Sequence, residues 1–148
     1  MQKVVNNSDK ALAEETLPLA VALMEAHPQE AKAYAVYADL LYHSGQRQAA
    51  RKAYENTIEL DESVYTVWEQ LLYILQEERD FAALKKTSET ALELFPNQTH
   101  IYLMNGLALH ELDLKEEAVE ILQEALLVAG NNIFMQQENT DLLGQNSR

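Results

Sequence analysis

Tyr34, Trp68 and Tyr102 stand 34 residues apart, and the residues around them recur in the same register. Ala38, Leu72 and Gly106 share one position of the period, and Leu41, Leu75 and Leu109 share another. Ile58, Leu92 and Leu126 form a third set, Leu60, Leu94 and Val128 a fourth, and Pro28 and Pro96 lie two periods apart. A fixed period of this length means stacked copies of one supersecondary unit. A single copy cannot bury its own apolar face, so neighbours must cover it. Tyr34, Tyr37, Ala38 and Leu41 fall at i, i+3, i+4 and i+7, the spacing of one helix face, and each period reads as two short amphipathic helices. With four Gly and three Pro in 148 residues there is little material for a turn-rich β fold. The fold class expected is therefore all-α, built of stacked helix hairpins.

Taken in order, residues 1–7 are polar and without period, and read as a frayed end. Ser8 is placed to cap a first helix, which carries Ala11, Leu12, Leu19, Leu23 and Met24 and ends near Ala26 before His27-Pro28. Pro18 inside it removes a backbone hydrogen bond and predicts a kink or a restart. The next helix, about Gln29 to His43, presents Tyr34, Tyr37, Ala38 and Leu41, and Gly45 suits a left-handed cap at its end. Its partner runs from about Arg47 to Leu60 with Ala50, Tyr54, Thr57 and Ile58 inward, and Asp61-Glu62-Ser63 is the turn. A second pair presents Trp68, Leu71, Leu72 and Leu75, ending near Glu78, then Phe81, Leu84, Ser88, Ala91, Leu92 and Leu94, ending at Phe95-Pro96. A third presents Tyr102, Asn105, Gly106 and Leu109, then Ala118, Leu122, Ala125, Leu126 and Val128. Gly130-Asn131-Asn132 is expected to close it. Residues 133 to about 143, with Ile133, Phe134, Leu142 and Leu143, suggest a further or capping helix, and 144–148 a tail.

At these positions the chain resembles the tetratricopeptide repeat family, whose unit is a 34-residue helix–turn–helix with the pattern W-x2-L-G-x2-Y…A-x3-F…P. Trp68, Leu71, Leu72 and Leu75 carry the first half of that pattern, as do Tyr34, Tyr37, Ala38 and Leu41. Ala50 and Tyr54 fit its second half, and Tyr102, Gly106, Ala118 and Leu122 fit both, with Asn105 where the family has Leu. The resemblance implies an all-α right-handed superhelix (solenoid) of antiparallel helix hairpins, and it sets three units at 31–64, 65–98 and 99–132. Residues 9–30 resemble the second half of a preceding unit, and the whole is expected to be one repeat domain cut from a longer array. The aromatic and Leu residues named so far are read as core, Trp68 included.

The middle unit departs from its neighbours. Where paired helices cross, the flanking units offer Ala38 with Ala50 and Gly106 with Ala118, but the middle unit offers Leu72 with Leu84. Its next core position is Ser88, where the others have Tyr54 and Leu122. Volume is roughly conserved, as close packing demands. A locally repacked or slightly wider helix pair is expected there.

Chemistry is sparsely provided for. The chain has no cysteine, so disulfides and thiolate metal sites are excluded. Its four His (27, 43, 100 and 110) include no i, i+4 pair and no Glu-x-x-His. No Gly-rich phosphate loop or nucleophile elbow occurs. Glu14-Glu15, Glu77-Glu78 and Glu116-Glu117 are neighbours in sequence, which on a helix diverge. No catalytic role, cofactor or metal is therefore expected. Eleven Lys and Arg against 24 Asp and Glu give a net charge of −13, which repels nucleic acid and anionic membrane surfaces. The N-terminal residues lack the apolar run of a signal peptide, and no stretch approaches the length of a membrane span. A soluble chain is expected from these signs.

The resemblance implies a binding role, because in this family the first helix of each unit lines a concave groove for extended or helical peptides. Carried over by position, the groove shows Lys32, Ala35, Val36, Asp39, Tyr42 and His43 from the first unit. The second gives Thr66, Glu69, Gln70, Tyr73, Gln76 and Glu77, and the third His100, Leu103, Met104, Leu107, His110 and Glu111. These residues lie off the core stripe and are expected to be free for a partner. One sub-family clamps a C-terminal carboxylate with Lys, Asn and Arg; here those places hold Ala35, Asp39, Gln70, His100 and Met104, so that clamp is absent. The expected function is a non-enzymatic scaffold for a protein or peptide partner of basic or mixed apolar and basic character. The alternatives are a structural spacer, self-association through the apolar ends (Leu12 and Leu23, Ile133 and Phe134), or a regulatory domain attached to a catalytic part outside this chain.

Overall fold

The computed structural model describes residues 7–146, and side chains for residues 7–132. Seven helices follow one another: α1 (Asn7–Ala26), α2 (Ala31–His43), α3 (Arg47–Leu60), α4 (Tyr65–Glu77), α5 (Phe81–Leu94), α6 (Thr99–Glu111) and α7 (Lys115–Asn146). No strand occurs among the described residues. The chain divides into two compact units, Met1–Ile74 and Leu75–Arg148, with the division falling inside α4. In the first, α2 packs on both α1 and α3; in the second, α6 packs on both α5 and α7.

One backbone device closes all three helix pairs. Gly45 (φ 86°), Arg79 (φ 57°) and Asp113 (φ 63°) hold the left-handed conformation, and they stand one period apart. Behind Gly45, the Gln46 N–H donates to the Leu41 carbonyl (2.9 Å) and the Gly45 N–H to Tyr42 (3.0 Å). The same pair of bonds recurs as Asp80 to Leu75 (3.0 Å) with Arg79 to Gln76 (3.0 Å), and as Leu114 to Leu109 (2.8 Å) with Asp113 to His110 (3.0 Å). This is the Schellman arrangement, which satisfies carbonyls that a helix end leaves open. The glycine expected to do this at position 45 does so, and Arg79 and Asp113 reach the same geometry without being glycine.

The evenly spaced aromatics secure the other set of turns. Trp68 is 4% exposed, and its indole N–H donates to the Glu62 carbonyl at 2.8 Å. One period on, the Tyr102 hydroxyl donates to the Pro96 carbonyl at 2.9 Å. Each aromatic ring packs at the start of a helix while its polar atom holds the loop six residues earlier. A ring with a donor at its rim does both jobs, which Phe cannot.

Two helix boundaries differ from expectation. α1 runs through Pro18 without a restart, and Ser8 lies within it rather than capping it from outside. The carbonyl that Pro18 leaves unbonded belongs to Glu14, an exposed residue where water can serve it. At the other end, α7 does not stop at Gly130-Asn131-Asn132 but continues to Asn146. Gly130 does not take the left-handed conformation that Gly45 uses, and no proline follows to enforce a stop. A glycine in mid-helix costs about 1 kcal/mol relative to alanine, too little to break it alone. The readings of Ile133, Phe134, Leu142 and Leu143 lie outside the described side chains, and those of residues 1–6 and 147–148 outside the described residues.

The first unit's core is built from Ala33, Ala38 and Leu41 of α2, Ala50, Ala53 and Tyr54 of α3, and Val67, Trp68, Leu71 and Leu72 of α4. Ala13 and Ala20 bring in α1. In the second unit, Leu84, Ser88 and Ala91 of α5 share a core with Ile101, Met104, Asn105, Ala108 and Leu109 of α6 and Ala118 and Ala125 of α7. Gly106 is required by close approach: a Cβ there would lie 2.7 Å from Leu122 Cδ2 and 2.9 Å from its Cγ. Some residues assigned to the core are on the surface. Leu12, Leu19 and Leu23 of α1 are exposed, as are Leu122 and Leu126 of α7, with Leu19 at 71% and Leu126 at 74%. Leu60 and Leu94 are also exposed, as the last residues of α3 and α5. The period marks the face a following helix would cover, and at α1 and α7 that face is open.

Ser88 and Asn105, the two oddities of the sequence, are one feature. The Asn105 amide donates to Ser88 Oγ at 2.9 Å, and Ser88 Oγ donates to the Lys85 carbonyl at 3.0 Å. Both residues are buried, at 0% and 3% exposure. A polar side chain in the core of α6 is tolerable because α5 supplies its acceptor, as buried polar groups require.

Two measurements check this core. Trp68→Ala is expected to cost about 3–5 kcal/mol in denaturant unfolding, and a loss well below 1 kcal/mol would contradict its burial. Ser88→Ala alone is expected to cost about 1–3 kcal/mol by leaving Asn105 short of an acceptor, and adding Asn105→Leu to recover much of it. Strictly additive losses in that double-mutant cycle would show that the two are uncoupled.

Candidate interaction surface

The residues assigned to the groove by position fall into three groups. Asp39, Val36 and Lys32 of α2 are exposed, and Val36 is 45% so. His43, Glu69, Gln70, Tyr73 and Gln76 are half-buried. Tyr42 is buried rather than open: His43 meets its ring edge-on at 5.7 Å between centroids, and the Arg47 guanidinium lies 5.6 Å from its centroid. On α6, Leu103 is 48% exposed, Leu107 half-buried and His110 exposed. Met104 turns into the core at 4% exposure, so the expected apolar patch reduces to Leu103 and Leu107.

The carboxylates on this face of the first unit are not idle. Asp39 Oδ1 accepts a short hydrogen bond from the hydroxyl of Tyr54, which is 1% exposed. Burial, and then this bond, push the Tyr54 phenol well above its ordinary value of 10.0. Glu69 likewise accepts from Tyr65, whose phenol is also raised, by burial first and by Glu69 second. Asp39 and Glu69 therefore hold tyrosines of their own unit, an employment that their positions off the core stripe conceal. The period places Asp39 and Tyr54 on the paired helices of one hairpin but does not record their bond.

The Tyr54 bond makes a pH-dependent contribution. Its folded-state phenol titrates above the unfolded one, so the stabilisation is complete below pH 10.0 and is lost as pH rises beyond it. Tyr54→Phe is expected to cost about 1–2 kcal/mol at neutral pH and to flatten the fall in stability above pH 10.0. An unaltered alkaline profile in urea unfolding would reject the assignment.

No three His, Asp or Glu side chains among the described residues converge in a way that could hold a metal ion. No helix among them is long and apolar enough to cross a membrane. Among curated proteins, none matches the chain in sequence. Solved structures do resemble it. A crystal structure of MamA superposes with a TM-score of 0.75 at 19% identity, covering 85% of this chain and 74% of that one. A second MamA structure gives 0.73 at 19% identity, covering 85% and 69%. Residues 41 to the end of MamA from Desulfovibrio magneticus give 0.68 at 16% identity, covering 78% and 66%. At such identities the likeness is one of fold. The sequence profile of the tetratricopeptide repeat matches residues 31–64 and 99–132, with one period between them. The matched spans coincide with the first and third of the 34-residue units, and these two segments are tetratricopeptide repeats.

Proposed function

We propose that the chain is a non-enzymatic binding scaffold that receives a peptide or protein segment on the first helix of its repeat units, each unit taken by itself. The observation that carries this reading is on α6. There Ile101, Met104, Ala108 and Leu109 are buried, yet Leu103 remains 48% exposed with Leu107 half-buried beside it. Exposed apolar area of this kind is what an interface core uses, with a polar rim around it. His100 and His110 flank the two leucines on the same helix. In the first unit Tyr73, with Glu69 and Gln70 on its helix, offers a rigid aromatic anchor of the type that dominates binding energy. Asp39 and His43 supply the neighbouring polar contacts. The charge of −13 favours a segment carrying Lys or Arg beside its apolar anchors.

A displayed peptide library selected on the protein provides the test. Leu107→Ala and Tyr73→Ala, each made separately, are expected to weaken the selected peptides about tenfold, as loss of an interface anchor does. Unchanged affinity in both variants would favour the spacer reading, in which these side chains meet no partner.

A further inference from the structure

A cleft of about 470 Å³ opens in the second unit among α5, α6 and α7. One wall carries Glu89 and Glu93 of α5, and the other Glu117, Glu120 and Glu124 of α7. Leu92, Leu109 and Ile121 give it an apolar lining. Asn105 also lines it, although the residue is only 3% exposed. Both hydrogen bonds of Asn105 leave from its amide nitrogen, to Ser88 Oγ at 2.9 Å and to the Lys85 carbonyl at 3.4 Å. The amide cannot be turned round, because its oxygen would then oppose the Lys85 carbonyl, acceptor against acceptor. Asn105 Oδ1 thus has no donor among the described residues, and the residue lines a cleft walled by carboxylates. Among the described residues, Lys85, bound to Glu89 at 2.8 Å, is the one ammonium seen to serve these walls. Glu89 chiefly, and Glu117 in smaller part, hold it above the usual lysine range, so both walls contribute to the negative field.

We infer that this cleft is a second binding surface, and that its occupant is a basic peptide segment that inserts an arginine side chain. A guanidinium offers five N–H donors in a plane, enough to reach carboxylates on both walls and Asn105 Oδ1. Its methylene stem suits Leu92, Leu109 and Ile121. A metal ion is a poor fit, since the carboxylates do not converge as one would need. A second copy of this chain is also a poor fit, because two chains of charge −13 repel. The inference does not depend on the peptide reading of Leu103 and Leu107, which lie outside the lining of this cleft.

A fluorescent oligo-arginine peptide amide, titrated by anisotropy at physiological ionic strength, tests it. Glu117→Gln/Glu120→Gln/Glu124→Gln is expected to weaken binding about tenfold or more, as loss of close charge pairs across an interface does. Glu14→Gln/Glu15→Gln/Glu25→Gln removes the same charge from exposed positions of α1 and is expected to change affinity by less than about twofold. Amide NMR shifts on titration should centre on Asn105 and Ile121. Equal losses in the two variants, shifts centred on α2 and α4, or displacement of the peptide by millimolar Mg²⁺ as readily as by free arginine would each overturn the proposal.

Discussion

The architecture depends on a left-handed residue placed once per period. Each helix pair turns back on itself at Gly45, Arg79 or Asp113, and at each the same two backbone bonds close the helix. Only at Gly45 is that conformation free of strain. A side chain in the left-handed region costs roughly 1–2 kcal/mol; at Asp113 the turn joins α6 and α7, which pack on one another and so offset that cost. Arg79 recovers part of the cost. Its guanidinium lies 5.2 Å from the Phe81 ring centroid and 3.6 Å from Glu111, although at an exposed site such contacts contribute little each.

A hairpin closed in this way still needs its next neighbour held in place, and the period's aromatic residue does this. Trp68 and Tyr102 each bury a ring and fix the preceding loop through one hydrogen bond to its carbonyl. The repeat is therefore pinned at alternate turns by different means: backbone geometry within a helix pair, and an aromatic tether between pairs. This accounts for why the spacing of three aromatics was so informative. At Trp68 and Tyr102 the position needs bulk, a donor and a fixed distance to the turn, and few residue types provide all three.

What the sequence showed was set by local rules, and what it concealed was set by neighbours. α3 runs from Arg47 to Leu60 as its pattern implied, since capping and helical period act within the segment. The exposure of Leu19 and Leu126 was not legible, because the period marks a face without saying whether anything covers it. Nor was the continuation of α7 through Gly130, where a weak helix former stands with no proline behind it. At the candidate surface, position on the helix located Leu103, Leu107 and Tyr73 correctly off the fully buried stripe. It failed for Met104 and Tyr42, which are buried, and it missed that Asp39 and Glu69 are bonded to tyrosines. Such pairings join residues on two helix turns or two helices, and a periodic pattern carries no record of them.

The Ser88–Asn105 pair follows the same logic to a functional end. An apolar residue at position 105, like Leu71 one period earlier, would have sealed the space between α5 and α6 with apolar volume. Placing Asn there, and a small Ser opposite, keeps the core satisfied through the amide nitrogen while leaving its carbonyl oxygen without a donor among the described residues, on a residue that lines the cleft. If packing alone were served, an apolar pair of matching volume would do as well or better. The glutamates around the cleft sharpen the contrast with the first unit. There Asp39 and Glu69 are bonded to Tyr54 and Tyr65. Here, among the described residues, Lys85, bound to Glu89, is the one cation that meets walls of five carboxylates. Acidic charge in this chain thus does two different things: on the face of α2 and α4 it braces the fold, and between α5 and α7 it is left to meet a cation from elsewhere.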